Sequence, residues 1–555
     1  MSILQGEKDV SPSDGDVPTP TAESSDLINA SGHVQELDRN FSLLAAAGVG
    51  LVVGSVWPAI GGSILVAIYN GGPPGVIYEF ITVSVLYWIV AASLAELASA
   101  IPSSGGVYHW ASVTPGKRWG RVIGFYAGYW NWLAWVFGAA SMSFIFANTV
   151  VQMYGLTHSD FVAKSWHVFV TYLIVTWIAC ICVCLFNSAM PHLNMVGIFM
   201  ILAGLFITIV VVAAMPGTGG RPSHASSSFV WSEWTADIGY PNGFVFVAGM
   251  LNGAYSVGTP DAVSHIAEEV PNPGRNVPIA IAAQMVVGFL TGLLYIIAIM
   301  YAINDYNALF ESAFPIAEIY LQATGSSSGA IGLLCLLLFC VGLCLVGVYI
   351  TAGRTLWALA RDQATPFPKY LGKVSPKLGM PFVATITCGC LVTVLGCIYE
   401  GSTTAFNAFV GSFVLMSSAS YIAAILPHLL TRRRNIHFGP FQLGKLGMVF
   451  NFIACGYMIV WFVIYCFPFA LPTDAGTMNY ACVIWGGLTV FVTIWWFIGQ
   501  SRYTTDTERL SCQPDSMEYK DQHLKRTRQH QRVTPAWHRR QASKAGIDTS
   551  ASNFK

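Results

Sequence analysis

The sequence predicts an all-α integral membrane protein of twelve transmembrane helices. Three observations carry this. Of the 555 residues, 54% are hydrophobic and 10% charged, against about 25% charged in a soluble domain. The charges crowd the ends: residues 1–40 hold 10 and residues 502–555 hold 17, leaving 29 of the 56 for the 461 residues between. Between residues 43 and 500 the apolar residues fall into twelve stretches, and about 20 apolar residues cross a bilayer core as a helix.

In order, the stretches are 43–69, 75–99, 120–152, 166–187, 193–215, 243–268, 278–303, 329–359, 381–399, 405–428, 447–469 and 480–500. Stretches 1 and 6 are broken at their middles. The first reads LLAAAGVGLVVGSVWPAIGGSILVAIY, with Gly48, Gly50, Gly54, Pro58, Gly61 and Gly62; the second reads GFVFVAGMLNGAYSVGTPDAVSHIAEEV, with Gly249, Gly253, Gly258 and Pro260. Glycine and proline weaken a helix interior. In lipid a broken helix is tolerated only where the freed backbone is buried in protein or lines a cavity. A pair of such breaks, one in each half of a chain, points to a binding site at membrane depth. Stretch 2 carries one carboxylate, Glu79, in its outer third. Stretch 6 carries Asp261 and His265 in its second half. Stretch 8 ends in Arg354 and Arg361.

An even number of crossings puts both ends on one side. The short loops on that side hold Lys117, Arg118, Arg121, Arg275, Arg361, Lys369, Lys373, Lys377, Arg432, Arg433, Arg434 and Lys445; the opposite loops hold Lys164 and Arg221. Twelve basic residues against two place both termini in the cytoplasm. Trp57, Trp110, Trp119, Trp166 and Trp485 lie near stretch ends or breaks, where interfacial anchoring is a usual role. The division is thus a polar N-terminal tail (1–40) that lacks the apolar core of a signal peptide and reads as disordered, a membrane domain (41–501), and a polar C-terminal tail (502–555).

Composition also excludes. Formal net charge is zero, so no nucleic-acid partner is indicated. The thirteen cysteines lie mostly in apolar stretches with no CxxC pair and read as small buried apolar residues. No clustered His, Asp or Cys with catalytic spacing occurs, so an enzyme is not expected and no cofactor or metal is called for.

Four stretches of sequence match one family: SLAELASAIPSSGGVYHWASVTP (Ser93–Pro115), SHIAEEVPNPGRNVPIAI (Ser264–Ile281), TAGRTLWALARDQATPFP (Thr351–Pro368) and RRRNIHFGPFQLGKLG (Arg432–Gly447). Across residues 41–500 the chain resembles the amino acid–polyamine–organocation superfamily. GGPPG (Gly71–Gly75) and GPFQLG (Gly439–Gly444) are similar to the fungal amino acid/choline permeases, which include choline and 4-aminobutyrate permeases. The resemblance implies two inverted five-helix repeats, stretches 1–5 and 6–10, with helices 1 and 6 broken and helices 11 and 12 peripheral.

It also implies a substrate site at the breaks. Half-helix N-termini suit an anionic group and unwound carbonyls a cation. Around Val53, Gly54, Ser55 and Trp57, free amides would hold a carboxylate or hydroxyl. Around Tyr255, Ser256, Val257 and Gly258, carbonyls would face an ammonium group, with Trp57 and Tyr255 adding cation–π attraction. Plain packing is the other reading of those two aromatics, and close helix contact that of the two glycines. Asp261 and His265 share a helix face and serve either as a proton relay or, for Asp261, as the cap of the half-helix that restarts after Pro260. Glu268 and Glu269 are expected in gate or loop contacts with Arg275, and Arg354 and Arg361 in gating at the end of helix 8. Sodium sites of this fold use hydroxyls late in helix 8, where GLCLVGVYITAG offers only Thr351, and stretch 5 lacks the lysine some proton-coupled relatives carry.

The expectation is a secondary active transporter. It imports a small amine-containing solute such as an amino acid, choline or 4-aminobutyrate, by proton symport and alternating access. Its partners are that solute, the lipid bilayer and a co-transported proton. The plasma membrane is the expected location, with the vacuolar membrane as the alternative. The rival class is a nutrient sensor of the same fold that signals without net flux.

Overall fold

The computed structural model describes residue 37 and residues 39–400 and 405–503. Nearly all of both tails therefore lies outside the described residues. The described chain is built of helices, and the only β-pairing among them is an isolated bridge between Ser375 and Met380.

Helices α1 (Leu43–Gly54) and α2 (Val56–Gly62) cover most of stretch 1, which ends in a 3-10 turn at Ile64–Val66. Ser42 caps α1 by accepting the Ala45 N–H at 3.2 Å, as a serine N-cap does. Then come α3 (Gly72–Ala100), the short α4 (Val107–Val113), α5 (Gly120–Gly155), α6 (Ser165–Leu185) and α7 (Met190–Ala214). The second half runs through α8 (Ser227–Trp231), α9 (Asn242–Val257), a 3-10 segment (Ala262–Glu269) and α10 (Pro273–Tyr301). After these lie α11 (Asn307–Glu311), α12 (Pro315–Thr324), α13 (Ser327–Arg361), α14 (Pro368–Leu371), α15 (Phe382–Glu400), α16 (Ala405–Leu430), α17 (Leu446–Ile464) and α18 (Ala481–Gly499).

GGPPG shows how sequence sets an end. Gly71 and Gly72 have φ of 80° and 66°, and a side-chain carbon on Gly71 would lie 2.4 Å from the Trp234 ring. The two prolines that follow open α3, where a missing N–H costs no ladder bond.

Ten described helices are long and apolar enough to cross a membrane. Two of the twelve expected crossings differ. The apolar part of α15 is Phe382–Ile398, somewhat short of about 20 residues. Stretch 6 does not resume as an α-helix after its break: α9 stops at Val257 and the second half is the tighter 3-10 form. Pro260 lacks the N–H that would carry the ladder across.

Burial separates centre from edge. In their most apolar windows, 83% of residues are buried in α1–α2, in α5 and in α16, against 33% in α17 and 11% in α18. The broken pair and the α5–α16 pair thus form the centre, with α17 packed on α3 and α18 on α16 at the rim. Trp57 and Trp110 are fully buried and so do not reach an interface, whereas Trp119 and Trp166 are about half exposed.

Candidate functional site

At the first break, Gly54 ends α1 and Ser55 adopts φ 36°, ψ 48°. A non-glycine residue in that left-handed region costs on the order of 1–3 kcal/mol and marks a constrained site. Ser55 is buried and its hydroxyl makes no hydrogen bond. The Val53 carbonyl accepts the Cys344 thiol of α13 at 3.3 Å. Trp57 is fully buried, donates its indole N–H to the Ile201 carbonyl at 3.1 Å, and lies 5.2 Å from the Tyr295 ring. It is a wall between α2, α7 and α10.

At the second break, Ser256 donates to the Asn252 carbonyl at 2.9 Å, and Asn252 reaches Ser63, just past α2, at 2.8 Å. Val257 is the last residue of α9. The Gly258 carbonyl accepts Tyr421 Oη of α16 at 3.1 Å. Gln284 of α10 donates to both oxygens of Thr259 at 2.9 Å. The same Gln284 packs on Gly50 and Gly54, whose added side-chain carbons would lie 2.9 and 3.0 Å from its amide. It therefore sits between the two breaks. Tyr255 exchanges a hydrogen bond with Ser141 at 2.7 Å and meets Phe413 edge-on at 5.5 Å, and Phe413 in turn meets Trp135 at 6.1 Å.

Asp261 does not cap the segment that follows it. No side-chain capping bond is made, because its carboxylate is taken by three other groups. Asn131 Nδ2 lies at 2.7 Å, Tyr421 Oη at 2.5 Å and His265 Nε2 at 3.1 Å. The other ring nitrogen of His265 faces the Ser104 carbonyl at 3.1 Å and Thr355 Oγ1 at 3.0 Å, while Thr355 donates to the Thr351 carbonyl. A carbonyl oxygen can only accept, so His265 Nδ1 carries a hydrogen. A second hydrogen must lie between Nε2 and the carboxylate. Whichever of the two holds that hydrogen, the pair is neutral as a whole.

Beyond this pair the four resemblance-bearing stretches converge at one end of the molecule. Arg354 forks onto Glu269, Nε to Oε1 at 2.5 Å and Nη2 to Oε2 at 3.0 Å. Arg361 spans Glu268 at 3.1 and 3.2 Å and lies 4.4 Å over the Trp357 ring. Glu268 also accepts the Ser104 N–H at 3.2 Å. The expected Arg275 contact is thus replaced: both carboxylates are met by arginines of α13, seven residues apart and so on one helix face. Tyr108 and His109 reach Asp362 at 2.8 and 3.2 Å. The RRRNIHFGPFQLG loop docks here too: Arg433 and the Leu443 N–H bind Glu96, and the Phe441 N–H binds Ser99. The Phe41 N–H, just before α1, donates to the Glu269 carbonyl at 3.1 Å.

The predicted residues thus lie in three places. Val53, Gly54, Ser55, Trp57, Tyr255, Ser256, Val257 and Gly258 surround the breaks; Asp261 and His265 follow them, and Glu268 and Arg354 lie at the motif end. Sequence reasoning missed Asn131, Tyr421, Gln284 and Thr355, polar residues in apolar helices whose only signal was that polarity. Ser55 Oγ, Asn131 Oδ1, Gln284 Oε1 and Ser412 Oγ are buried without a hydrogen-bond partner, although buried polar atoms are nearly always paired. That places unmatched polar atoms around the breaks. Among the described residues no group of three or more His, Cys, Asp or Glu gathers to hold a metal.

Comparison with known proteins identifies the family. The sequence model of the amino acid permease family matches residues 41–488. The chain is 33% identical over 483 residues to a choline transporter of Saccharomyces cerevisiae, covering 86% of this chain and 84% of that protein. It is 27% identical over 488 residues to the GABA-specific permease of the same yeast, covering 86% and 84%. It is 28% identical over 431 residues to a putative amino acid/polyamine transporter of Macrophomina phaseolina, covering 76% and 94%. These are transporters and permeases, not enzymes, and the apolar helices fit the same membrane setting. The chain belongs to the amino acid permease family, and it is an integral membrane protein.

Proposed function

We propose that the protein imports a small amine-bearing solute, of the class of choline, 4-aminobutyrate or an amino acid, by proton symport with alternating access. Twelve crossings are read here as two inverted five-helix repeats, α1–α7 and α9–α16, with α17 and α18 peripheral. The basic-residue bias puts both termini and the motif end in the cytoplasm, and the plasma membrane is the location that import requires.

One observation carries the substrate class. Tyr255, Phe413 and Trp135 are chained edge to ring beside Gly258, and the only carboxylate at the breaks, Asp261, is already neutralised by His265. A diffuse, weakly hydrated cation is then held by aromatic faces and carbonyl dipoles at about 0.5–2 kcal/mol per cation–π contact. Relatives named for choline and GABA support the same class. Val53, Gly54 and Ser55 would take the solute's carboxylate or hydroxyl, Ser256, Val257 and Gly258 its amine, and Trp57 would wall the site. Asp261 and His265 would respond to the coupling proton. Glu268 and Arg354, with Glu269 and Arg361, would form the cytoplasmic gate. Proton rather than sodium coupling is favoured because α13 offers Thr351 and Thr355 near the breaks and Thr355 is engaged with His265.

The test is uptake of labelled choline, 4-aminobutyrate and amino acids by a transport-deficient yeast expressing the protein. Tyr255→Ala and Trp57→Ala should weaken apparent affinity roughly tenfold, the loss of one contact of the upper size. Loss of uptake in Asp261→Asn with normal affinity in both aromatic variants would assign the ammonium to the carboxylate instead.

A further inference from the structure

We propose that Glu79 is a proton-binding site, and that its protonation is what lets the outer halves of α3 and α9 close on each other. This deepens the symport reading and rests on it, since it names where external acidity acts.

Glu79 lies two turns into α3, at the end opposite the arginine gate. It is 2% exposed, and neither carboxyl oxygen has a hydrogen-bond partner. No described Lys, Arg or His pairs with it. Every other buried carboxylate named above has such a partner: Glu96 has Arg433, Glu268 has Arg361, Glu269 has Arg354, Asp261 has His265 and Asp362 has His109. Glu79 therefore stands apart among them.

The carboxyl rests on bare backbone. A side-chain carbon on Gly249 of α9 would lie 2.2 and 2.3 Å from its two oxygens, so only glycine admits this contact. From its own helix it faces Gly75, at 3.6 Å by the same measure. Among the described residues the ionisable groups that feel its charge are two phenols, Tyr306 from the segment after α10 and Tyr465 after α17. Neither is a cation. Tyr306 donates its hydroxyl to the Ile68 carbonyl and so points its hydrogen elsewhere.

An ionised carboxylate so placed would have neither water nor a counter-charge, and a buried group in that position takes up a proton instead. The packing seen here is thus that of the neutral acid. Separation of α9 from α3 would expose the carboxyl to water and let it ionise. Re-closure then requires a proton from the outer solution: carboxylate plus proton gives the acid, with no other reactant. A cavity of about 30 Å³ lies between Asn70, Ala248, Leu251, Tyr465 and Asn479, next to Gly249, and about 10–15 Å³ suffices for a water.

Two measurements on the full-length protein test this. In lipid nanodiscs, the infrared band of a protonated carboxylic acid should be present in the wild type and lost in Glu79→Gln. In cells, uptake of labelled choline and 4-aminobutyrate should fall up to tenfold per unit of rising external pH in the wild type. Glu79→Gln, an isosteric neutral mimic, should flatten that profile while substrate exchange continues, and Glu79→Asp should keep the slope. A band that survives in Glu79→Gln, or a variant with the wild-type pH profile, overturns the proposal. Failure of the wild type to transport any of these solutes sinks the transport reading instead, and the infrared band alone then decides the proton site.

Discussion

Removing His265 should damage the protein more than removing His265 and the Asp261 charge together. Asp261 is fully buried and its carboxylate meets Asn131, Tyr421 and His265, and of these only His265 can carry positive charge. In His265→Ala the carboxylate remains, buried and uncompensated, which costs about 3–5 kcal/mol. That is a shift of roughly a hundred- to several-thousand-fold in the folded-to-unfolded ratio, at 1.36 kcal/mol per decade. Asp261→Asn differs. The charge is gone, His265 relaxes to the neutral tautomer with Nε2 as acceptor, and Asn131 can turn its unmatched Oδ1 toward the new amide. That variant should lose about 1–2 kcal/mol, the order of one weakened buried hydrogen bond. The double variant Asp261→Asn/His265→Ala contains the same cavity as His265→Ala without the orphan charge. It should be more stable than the single histidine variant by about 2 kcal/mol or more, despite carrying one more change. Apparent melting temperature and monodisperse yield in detergent, measured across the four-member cycle, would read this. A double variant less stable than His265→Ala would refute the charged pair.

Three other outcomes are expected. Gly258→Ala should lose uptake, because its side-chain carbon would lie 2.3 Å from the Ala254 carbonyl oxygen and the backbone must move; Gly54→Ala, which meets only the flexible end of Gln284 at 3.0 Å, should retain part of it, and Gly54→Leu should abolish it while still reaching the membrane. Tags at either terminus should be reachable by protease only after cells are permeabilised, and a tag cut in intact cells means the crossings are miscounted. Uptake should collapse with a protonophore and survive replacement of sodium, the reverse pattern being the one that contradicts proton coupling.

What the sequence made legible was local. Glycine and proline at 48–62 and 249–260 disclose broken helices because their effect on a helix is intrinsic to the residue. The site's wiring was not legible, since its partners are far apart in the chain. Asn131 and Tyr421 reach Asp261 across 130 and 160 positions, and Thr355 reaches His265 across 90. Nothing in one sequence selects those partners over other polar residues in the same helices. The α13 arginines show the boundary between the two cases. Their seven-residue spacing predicts a shared face, but which of Glu268 and Glu269 meets which arginine depends on how the 3-10 segment after Pro260 is wound, and that was expected as α-helix. The capping role considered for Asp261 failed for a related reason: a cap is a local competitor, and two distant donors, Asn131 and Tyr421, together with His265 one turn on, outbid it.

The two ends of the protein solve the same problem differently. A gate that opens and shuts in every cycle needs closed and open states of similar free energy. Buried ion pairs suit this, because the cost of taking both charges from water nearly cancels their attraction. The Arg354–Glu269 and Arg361–Glu268 pairs can part into water and re-form with little net change, while their forked geometry keeps the register specific. An apolar seal of equal area would instead favour closure at about 25 cal/mol per Å², which is a bolt rather than a gate. The opposite end has no such cancellation at Glu79. There, closure over an ion would be costly by itself, and protonation removes that cost. On the proposed orientation the cytoplasmic gate then opens on hydration alone, while the outer one closes only when a proton has been taken up. That asymmetry makes outer closure, but not inner opening, depend on external acidity; a proton taken up and released on the same side adds no driving force of its own. It makes a specific demand: neutralising Glu79 should relax the proton requirement of closure without touching the arginine pairs, whereas Arg354→Ala should loosen the inner gate without altering the pH profile of uptake.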